Sequence, residues 1–567
     1  SSDLKPPNQP MRPTPNLRIW ILSTCLVCLL CVTLAFRGPG ERLFDIAKNL
    51  DIYASVFKEL NKFYVDEVNP NEAVQTSIDA LLKSFDPYTV YYPEDELEDF
   101  MTMTTGKYQG IGIMLTQINH RFIIAFIDDD SPALKAGLGI GDEILSVNGV
   151  TLADKDESEP GKLIKGQAGT SLTLDVVQVG QSKTTQIRLN RETVQIKNVV
   201  YSGIIRPGIG YVSLEEFNAS AAKELKSSLL DLKQKGMKQL ILDLRNNPGG
   251  LLTQAVDICN LFLAKDTKIV ETRGKVEEWN KTYTALNTSF DSEIPLIILI
   301  NGHSASAAEI VAGVMQDYDR AVLIGKKSYG KGLVQVTRDL PYRTKMKITT
   351  AKYYIPSGRC IQAIDYQHKN SEGQAIAYKD SSIKTFKTQN GRAVVDGGGI
   401  LPDILIGKDL MSSSFTQALM KQYMIFLYAC HYQKNHPKIA SAESFVFSEN
   451  DMNDFQNWLK NQKFTYESPV EKQVRIAIDL AKKDQAYAGL ETSMSALKSE
   501  WSSSTTKELL AHKQEIISLI EQEIILHYYL QKGVNQWSFS KDPVILESLN
   551  LFNQPQKFQE ILAKKNK

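Results

Sequence analysis

The spacing of apolar positions changes character several times along the chain. Leu43, Ile46, Leu50, Tyr53 and Phe57 recur every three or four residues, which predicts helix over most of residues 44–104. "FDPYTVYYPEDELEDF" lies within that stretch and reads as a turn at Asp86-Pro87 followed by an acidic helix start. From Tyr108 to residue 190 the runs shorten. "GIGIMLTQ", "RFIIAFI", "EILSVNGV" and "SLTLDVVQV" read as strands, with "SPALKAGL" and "EPGKLIKG" as short helices between them, and together they predict one small β-rich domain. From Gly208 to Ile406 strand and helix alternate: "IGYVSL", a helix ending at Gly236, "QLILDL", the turn "RNNPGG", a further helix, "PLIILI", a second turn and helix, then "AVLIG". Fully apolar strands between helices predict a sheet covered on its faces. Beyond "GGGILPDILI" the chain turns polar and helical, with a stripe at Ile516, Ile517, Ile520 and Ile524 that Gly533 is expected to stop.

One apolar run differs from all of these. Residues 19–36, "IWILSTCLVCLLCVTLAF", carry no charge and are long enough to cross a bilayer at about 1.5 Å per residue. A Pro-rich polar tail, residues 1–18, precedes them and holds Lys5, Arg12 and Arg18. Two readings compete, a retained anchor and a signal cleaved near Thr33-Leu34-Ala35, and both predict export across a membrane. Basic residues flank both ends, so the orientation signal is weak.

Composition narrows the classes. A chain of 567 residues needs several cores. Lys+Arg and Asp+Glu are equal at 65 each, which argues against a nucleic-acid partner held through phosphate contacts. Cys25, Cys28 and Cys31 sit in the apolar run, while Cys259, Cys360 and Cys430 are scattered, with neither zinc spacing nor a disulfide framework.

The candidate chemistry lies in "NGHSASAAEI", residues 301–310, where a strand turns into a helix. A serine hydroxyl needs a base within hydrogen-bond reach and preorganised donors for the oxyanion. A strand-to-helix turn offers backbone amides and the positive end of a helix dipole. Ser304 and Ser306 are both available, and the motif is not G-x-S-x-G. His303 is adjacent, and no other histidine sits in a motif. A lysine serves as base if burial lowers its pKa. Lys326 and Lys327 read as solvated turn residues, whereas Lys331, between Gly330 and Gly332, reads as inward-facing. Taken alone, this spacing does not choose the base.

"FDPYTVYY", "LDLRNNPGG", "NGHSASAAEI", "GKKSYGKGLVQ", "YYIPSGRCIQ" and "GRAVVDGGGILPD", in this order, resemble the carboxy-terminal processing peptidases, or tail-specific proteases, over residues 45–405. The resemblance implies a multidomain α+β protein with a crotonase-like α/β protease core and an inserted PDZ domain. The expected parts are a polar tail (1–18), anchor or signal (19–36), N-terminal helical region (43–104), PDZ domain (105–192), serine protease core (193–406) and C-terminal helical region (407–567). It implies Ser306 as nucleophile, Lys331 as general base and Gln335 as the residue orienting the lysine. Ala307 is one oxyanion donor, and Gly249 or Gly250 is the other. Ser304, Asp243 and Arg245 then shape turns, and His303 lies on the rim. "YQGIGIML" resembles the carboxylate-binding loop of a PDZ domain, with Gly110, Ile111, Gly112 and Ile113 as the peptide-binding positions. No metal or cofactor is implied. The implied partners are proteins with unstructured apolar C-termini, and the implied location is a bacterial periplasm, with residues 19–36 in the inner membrane. Terminal helices are expected to serve oligomerisation, an adaptor or packing on the core. A non-catalytic PDZ scaffold and an acyl-thioester enzyme on the same core are the competing readings.

Overall fold

The computed structural model describes residues 39–378, 383–407, 413–483, 492, 493, 496 and 505–563. The tail and apolar run at 1–36 lie outside these residues. Among the described residues no helix is long and apolar enough to cross a membrane.

The chain divides into two units, Ser1–Ser84 and Phe85–Lys567. In the first, helix Pro39–Phe63 carries the expected stripe, and Leu43, Ile46, Leu50 and Tyr53 on it remain exposed. Helix Pro70–Lys83 follows, opened by Asn69, whose side chain accepts from the amides of Asn71 and Glu72.

The second unit is built on a six-stranded sheet ordered Val199–Arg206, Ile209–Leu214, Gln239–Asp243, Leu296–Ile300, Val322–Gly325, Ile404–Leu405. All neighbours are parallel except the first pair. Successive strand residues face opposite sides, and both sides are buried, so the strands read as unbroken apolar runs. Val212, Leu240, Leu242, Ile298 and Leu323 face helices Ala221–Gln234, Leu252–Phe262 and Ala307–Asp317. Tyr211, Ile241, Ile297, Leu299 and Ile324 face the other way, under Phe539, Ile545, Leu549 and Phe552 of the C-terminal helices. The second cover of the sheet is therefore the C-terminal helical region.

A smaller sheet flanks the core. Strand Lys345–Tyr354 pairs with Leu333–Asp339 on one side, and with Val90–Tyr92 and Lys268–Gly274 on the other. Residues 43–104 are thus not helical throughout. After the turn at Asp86, Val90–Tyr92, β-branched and aromatic, joins a sheet, and helix resumes as a 3-10 turn at Glu94–Glu96 that runs into Leu97–Thr105.

In the β-rich domain, strands Ile113–Ile118, Arg121–Ile127, Glu143–Val147, Ser171–Val177 and Thr185–Asn190 form one sheet in that order. Ile113–Ile118 is an edge strand, beside the short helix Glu159–Ile164. The core holds Ile111, Phe122, Ile124, Leu172 and Leu174. Phe426, from helix Met424–Asn435, is buried in that same cluster, with Leu427, Cys430, Leu526 and Leu530 packed against it.

Helix Lys513–Lys541 buries Ile516, Ile520 and Ile524 but does not stop at Gly533. It bends at Leu530 (φ 55°, ψ −163°) and continues. Gly533 is a packing glycine: a Cβ there would lie 2.2 Å from the Tyr529 Cβ.

Candidate active site

Three loops leave the carboxyl ends of neighbouring parallel strands, at residues 244–251, 301–306 and 326–332, which is where open α/β sheets place their ligands. Hydrogen bonds join them. Asn246 N donates to Asn301 Oδ1 (3.0 Å), Asn301 Nδ2 donates to Asn246 Oδ1 (2.8 Å), and Ala305 N donates to the Asn247 carbonyl (2.9 Å). Ser304 is fully buried; its hydroxyl donates to the Leu244 carbonyl (2.7 Å) and accepts from Asn301 N (3.0 Å). It is a tie between loops. His303 is exposed, with its amide on Asn301 Oδ1. Arg245 chelates Asp243 and reaches Asp542 at 2.5 Å, bracing the first loop against the C-terminal helices.

Ser306 stands immediately before helix Ala307–Asp317 with φ 55° and ψ −113°, a backbone conformation costly for any residue with a Cβ. Glu309, three residues on, holds the turn. Its carboxylate is fully buried and accepts from Ser306 N (2.9 Å), Ser328 Oγ (2.5 Å), Gly330 N (2.7 Å) and Lys331 N (2.9 Å). Burial pushes the Glu309 pKa up to about 7, against the pull of these four donors. Tyr353 works on the opposite polarity: its buried hydroxyl lies 2.7 Å from the Lys331 carbonyl and 3.2 Å from that of Ser306. One carboxylate therefore gathers the two amides, and one phenol gathers the two carbonyls.

The Lys331 ammonium lies 4.3 Å from the centre of the Tyr88 ring. Burial lowers its pKa to about 8, helped by the charge of Lys347 and opposed by Glu309 and Asp86. Among the described residues no hydrogen bond joins Lys331 Nζ to Ser306 or to Gln335. Gln335 Nε2 donates instead to Thr349 Oγ1 (3.2 Å). Ser306, Ala307, Gly249, Gly250, Lys331 and Gln335 all line one cavity of about 530 Å³. Phe100, Met103, Ile196, Leu252 and Leu333 supply much of its apolar wall.

The two candidate glycines differ. Gly249 N is spent on Asn247 Oδ1 (2.8 Å), and a Cβ on Gly249 would fall 2.7 Å from the Ala305 oxygen and 2.8 Å from the Ala307 nitrogen. The amides of Gly250 and Ala307 make no hydrogen bond among the described residues. Gly249 permits the close approach, and Gly250 keeps the free donor. In the β-rich domain, Gly110 ends the strand Lys107–Gly110, Ile111 and Gly112 form the turn, and Ile113 opens the edge strand. Gly112 has φ 78°, and a Cβ there would lie 2.3 Å from the Ser131 Cβ.

Glu309 and Tyr353 were not singled out by sequence reasoning, and each left a signal. Glu309 occupies the third position of a capping box opened by Ser306. Tyr353 begins the motif "YYIPSGRCIQ".

Residues 208–369 match Peptidase family S41, residues 109–189 match the PDZ domain, and residues 415–552 match the family described as probable PDZ-protease, C-terminal helical domain. The chain is 36% identical over 321 residues to a carboxy-terminal-processing protease of Bartonella bacilliformis, covering 56% of this chain and 73% of the relative. A probable CtpA-like serine protease of Staphylococcus epidermidis is 33% identical over 379 residues, covering 66% and 74%. The solved photosystem II D1 C-terminal processing protease aligns with 23% identity and a TM-score of 0.34, over 64% of this chain and 93% of that one.

Proposed function

The chain belongs to the carboxy-terminal-processing serine proteases of peptidase family S41, with a PDZ domain and a C-terminal helical domain, and from that premise we propose that Ser306 and Lys331 are its catalytic dyad. The observation that carries this reading is the pairing of their main chains by Glu309 and Tyr353 at one cavity. Neutral Lys331 takes the proton of Ser306 as its oxygen attacks the scissile carbonyl. The oxyanion that forms is received by the amides of Ala307 and Gly250, the former at a helix N-terminus. The lysine ammonium then protonates the leaving amine, and water releases the acyl group. Gln335 is anchored through Nε2 on Thr349, which leaves its amide oxygen as the acceptor for the Lys331 ammonium in its orienting role.

The free edge of Ile113–Ile118, beside helix Glu159–Ile164, supports capture of a substrate tail by strand addition, with the Gly110–Ile113 loop at its carboxylate. The parallel sheet and its helices support the crotonase-like reading of the core. The uncharged run at 19–36 supports export, with the protease on the periplasmic side of a bacterial inner membrane.

The test compares the wild-type full chain with Ser304→Ala, Ser306→Ala and Lys331→Ala on an unfolded protein ending in apolar residues. Ser306→Ala and Lys331→Ala should abolish cleavage. Ser304→Ala should cleave but melt earlier, because the buried Leu244 carbonyl loses its donor and the half-buried Asn301 amide its acceptor, at about 1–3 kcal/mol. Cleavage surviving Lys331→Ala would refute the dyad. A wild type that binds tails and never cuts them would favour the scaffold reading.

A further inference from the structure

The turn "DPYT", residues 86–89, plays no part in the mechanism above, yet it reaches both Lys331 and Gln335. Asp86 and Thr89 are buried. Asp86 Oδ1 accepts from the amides of Tyr88 and Thr89 (2.8 Å each), and Oδ2 accepts from Thr89 Oγ1 (3.0 Å). This closed turn holds Tyr88 so that its ring face meets the Lys331 ammonium at 4.3 Å. The Tyr88 ring is itself fixed by an edge contact with Tyr366, 5.9 Å between centroids at 89°. The Thr89 hydroxyl accepts from Thr349 N (3.2 Å), and Thr349 Oγ1 in turn accepts from Gln335 Nε2 (3.2 Å).

We propose that this turn positions the general base: Tyr88 holds the protonated form of Lys331 against its ring, and Thr89, through Thr349, holds Gln335. The proposal rests on the Ser306–Lys331 reading. A ring face attracts a cation and not a neutral amine, so Tyr88 favours the ammonium. It thereby offsets part of the desolvation that drives the lysine toward neutrality. The other groups acting on that charge are Lys347, which opposes it, and Glu309 and Asp86, which support it. During turnover Lys331 becomes an ammonium as it takes the Ser306 proton, and Tyr88 steadies that form until the proton passes to the leaving amine. Tyr88 is thus a positioning residue that acts through Lys331.

The experiment measures the pH dependence of kcat/KM of the full chain on an internally quenched, unstructured peptide with a Val-Val-Val carboxyl end. The variants are Tyr88→Phe and Tyr88 replaced by phenylalanines carrying successively more ring fluorines. Fluorine withdraws density from the ring face with little change of shape, so folding is preserved across the series. Tyr88→Phe should keep the acid limb close to wild type. Each added fluorine should move it to lower pH, by about half to one pH unit at full fluorination. Tyr88→Leu should show the same displacement. A flat series in an enzyme that Lys331→Ala inactivates would overturn this proposal alone. A wild type indifferent to Lys331→Ala would overturn the dyad, and the proposal with it.

Discussion

Glu309 shows how one residue decides whether the site exists. Four donors converge on its carboxylate, so Glu309→Gln would turn an amide NH2 against them and leave buried groups unpaired at about 1–3 kcal/mol each. We expect kcat/KM to fall more than tenfold and labelling of Ser306 by a fluorophosphonate to slow in parallel; normal labelling would show that the turn stands without the carboxylate. On the proposed dyad, Lys331 sets the pH response. A general base works when neutral, and its pKa is lowered to about 8. The kcat/KM should therefore rise with pH up to about 8 and level off above it. Lys347 is part of the cause, so Lys347→Met should raise the Lys331 pKa and move the acid limb to higher pH, by up to about one unit. An unmoved limb would mean that this charge is not felt. The order of motifs singled out Ser306 and Lys331 as candidates, and the fold places both at one cavity. Glu309 was hidden because "SAAEIVAGV" reads as an apolar helix, and a buried acid in it makes sense only once residues 328–331 are folded onto it.

Among the elements, the core strands were the most readable. "LIILI" and "VLIG" are apolar on both faces, and that pattern demands two covers. It does not say what the second cover is, because a polar helical sequence with a stripe fits a core, a dimer or an adaptor equally well. In the fold, Phe539, Ile545, Leu549 and Phe552 supply it. Ile545→Ala should lower stability by about 2–5 kcal/mol, seen as an earlier thermal transition, with the acid limb of kcat/KM unmoved. A shifted limb would mean that the rear of the sheet is felt at the lysine. Strand Val90–Tyr92 was missed because a three-residue strand inside a helical stretch has too few positions to show alternation. The Gly533 stop was misread for a related reason, since a glycine near a helix end and one packed under Tyr529 look alike in sequence.

Across the second unit, the C-terminal helices touch both working parts. Phe426 enters the PDZ core, Phe539 lies on the protease sheet, and Arg245 of the candidate site reaches Asp542. Phe426→Ala should therefore loosen the PDZ domain within the folded chain, and limited proteolysis should cut residues 105–192 faster while the core persists. Equal cutting rates would show that the PDZ domain does not depend on this contact. The cover of the sheet also has a consequence for biosynthesis. Strands that form the rear face of the core are translated long before Phe539 and Ile545, so until those helices emerge that face is bare apolar surface. A nascent chain can therefore hold Ser306 and Lys331 and still lack both the cover of the sheet and the Asp542 brace on the neighbouring Arg245 loop.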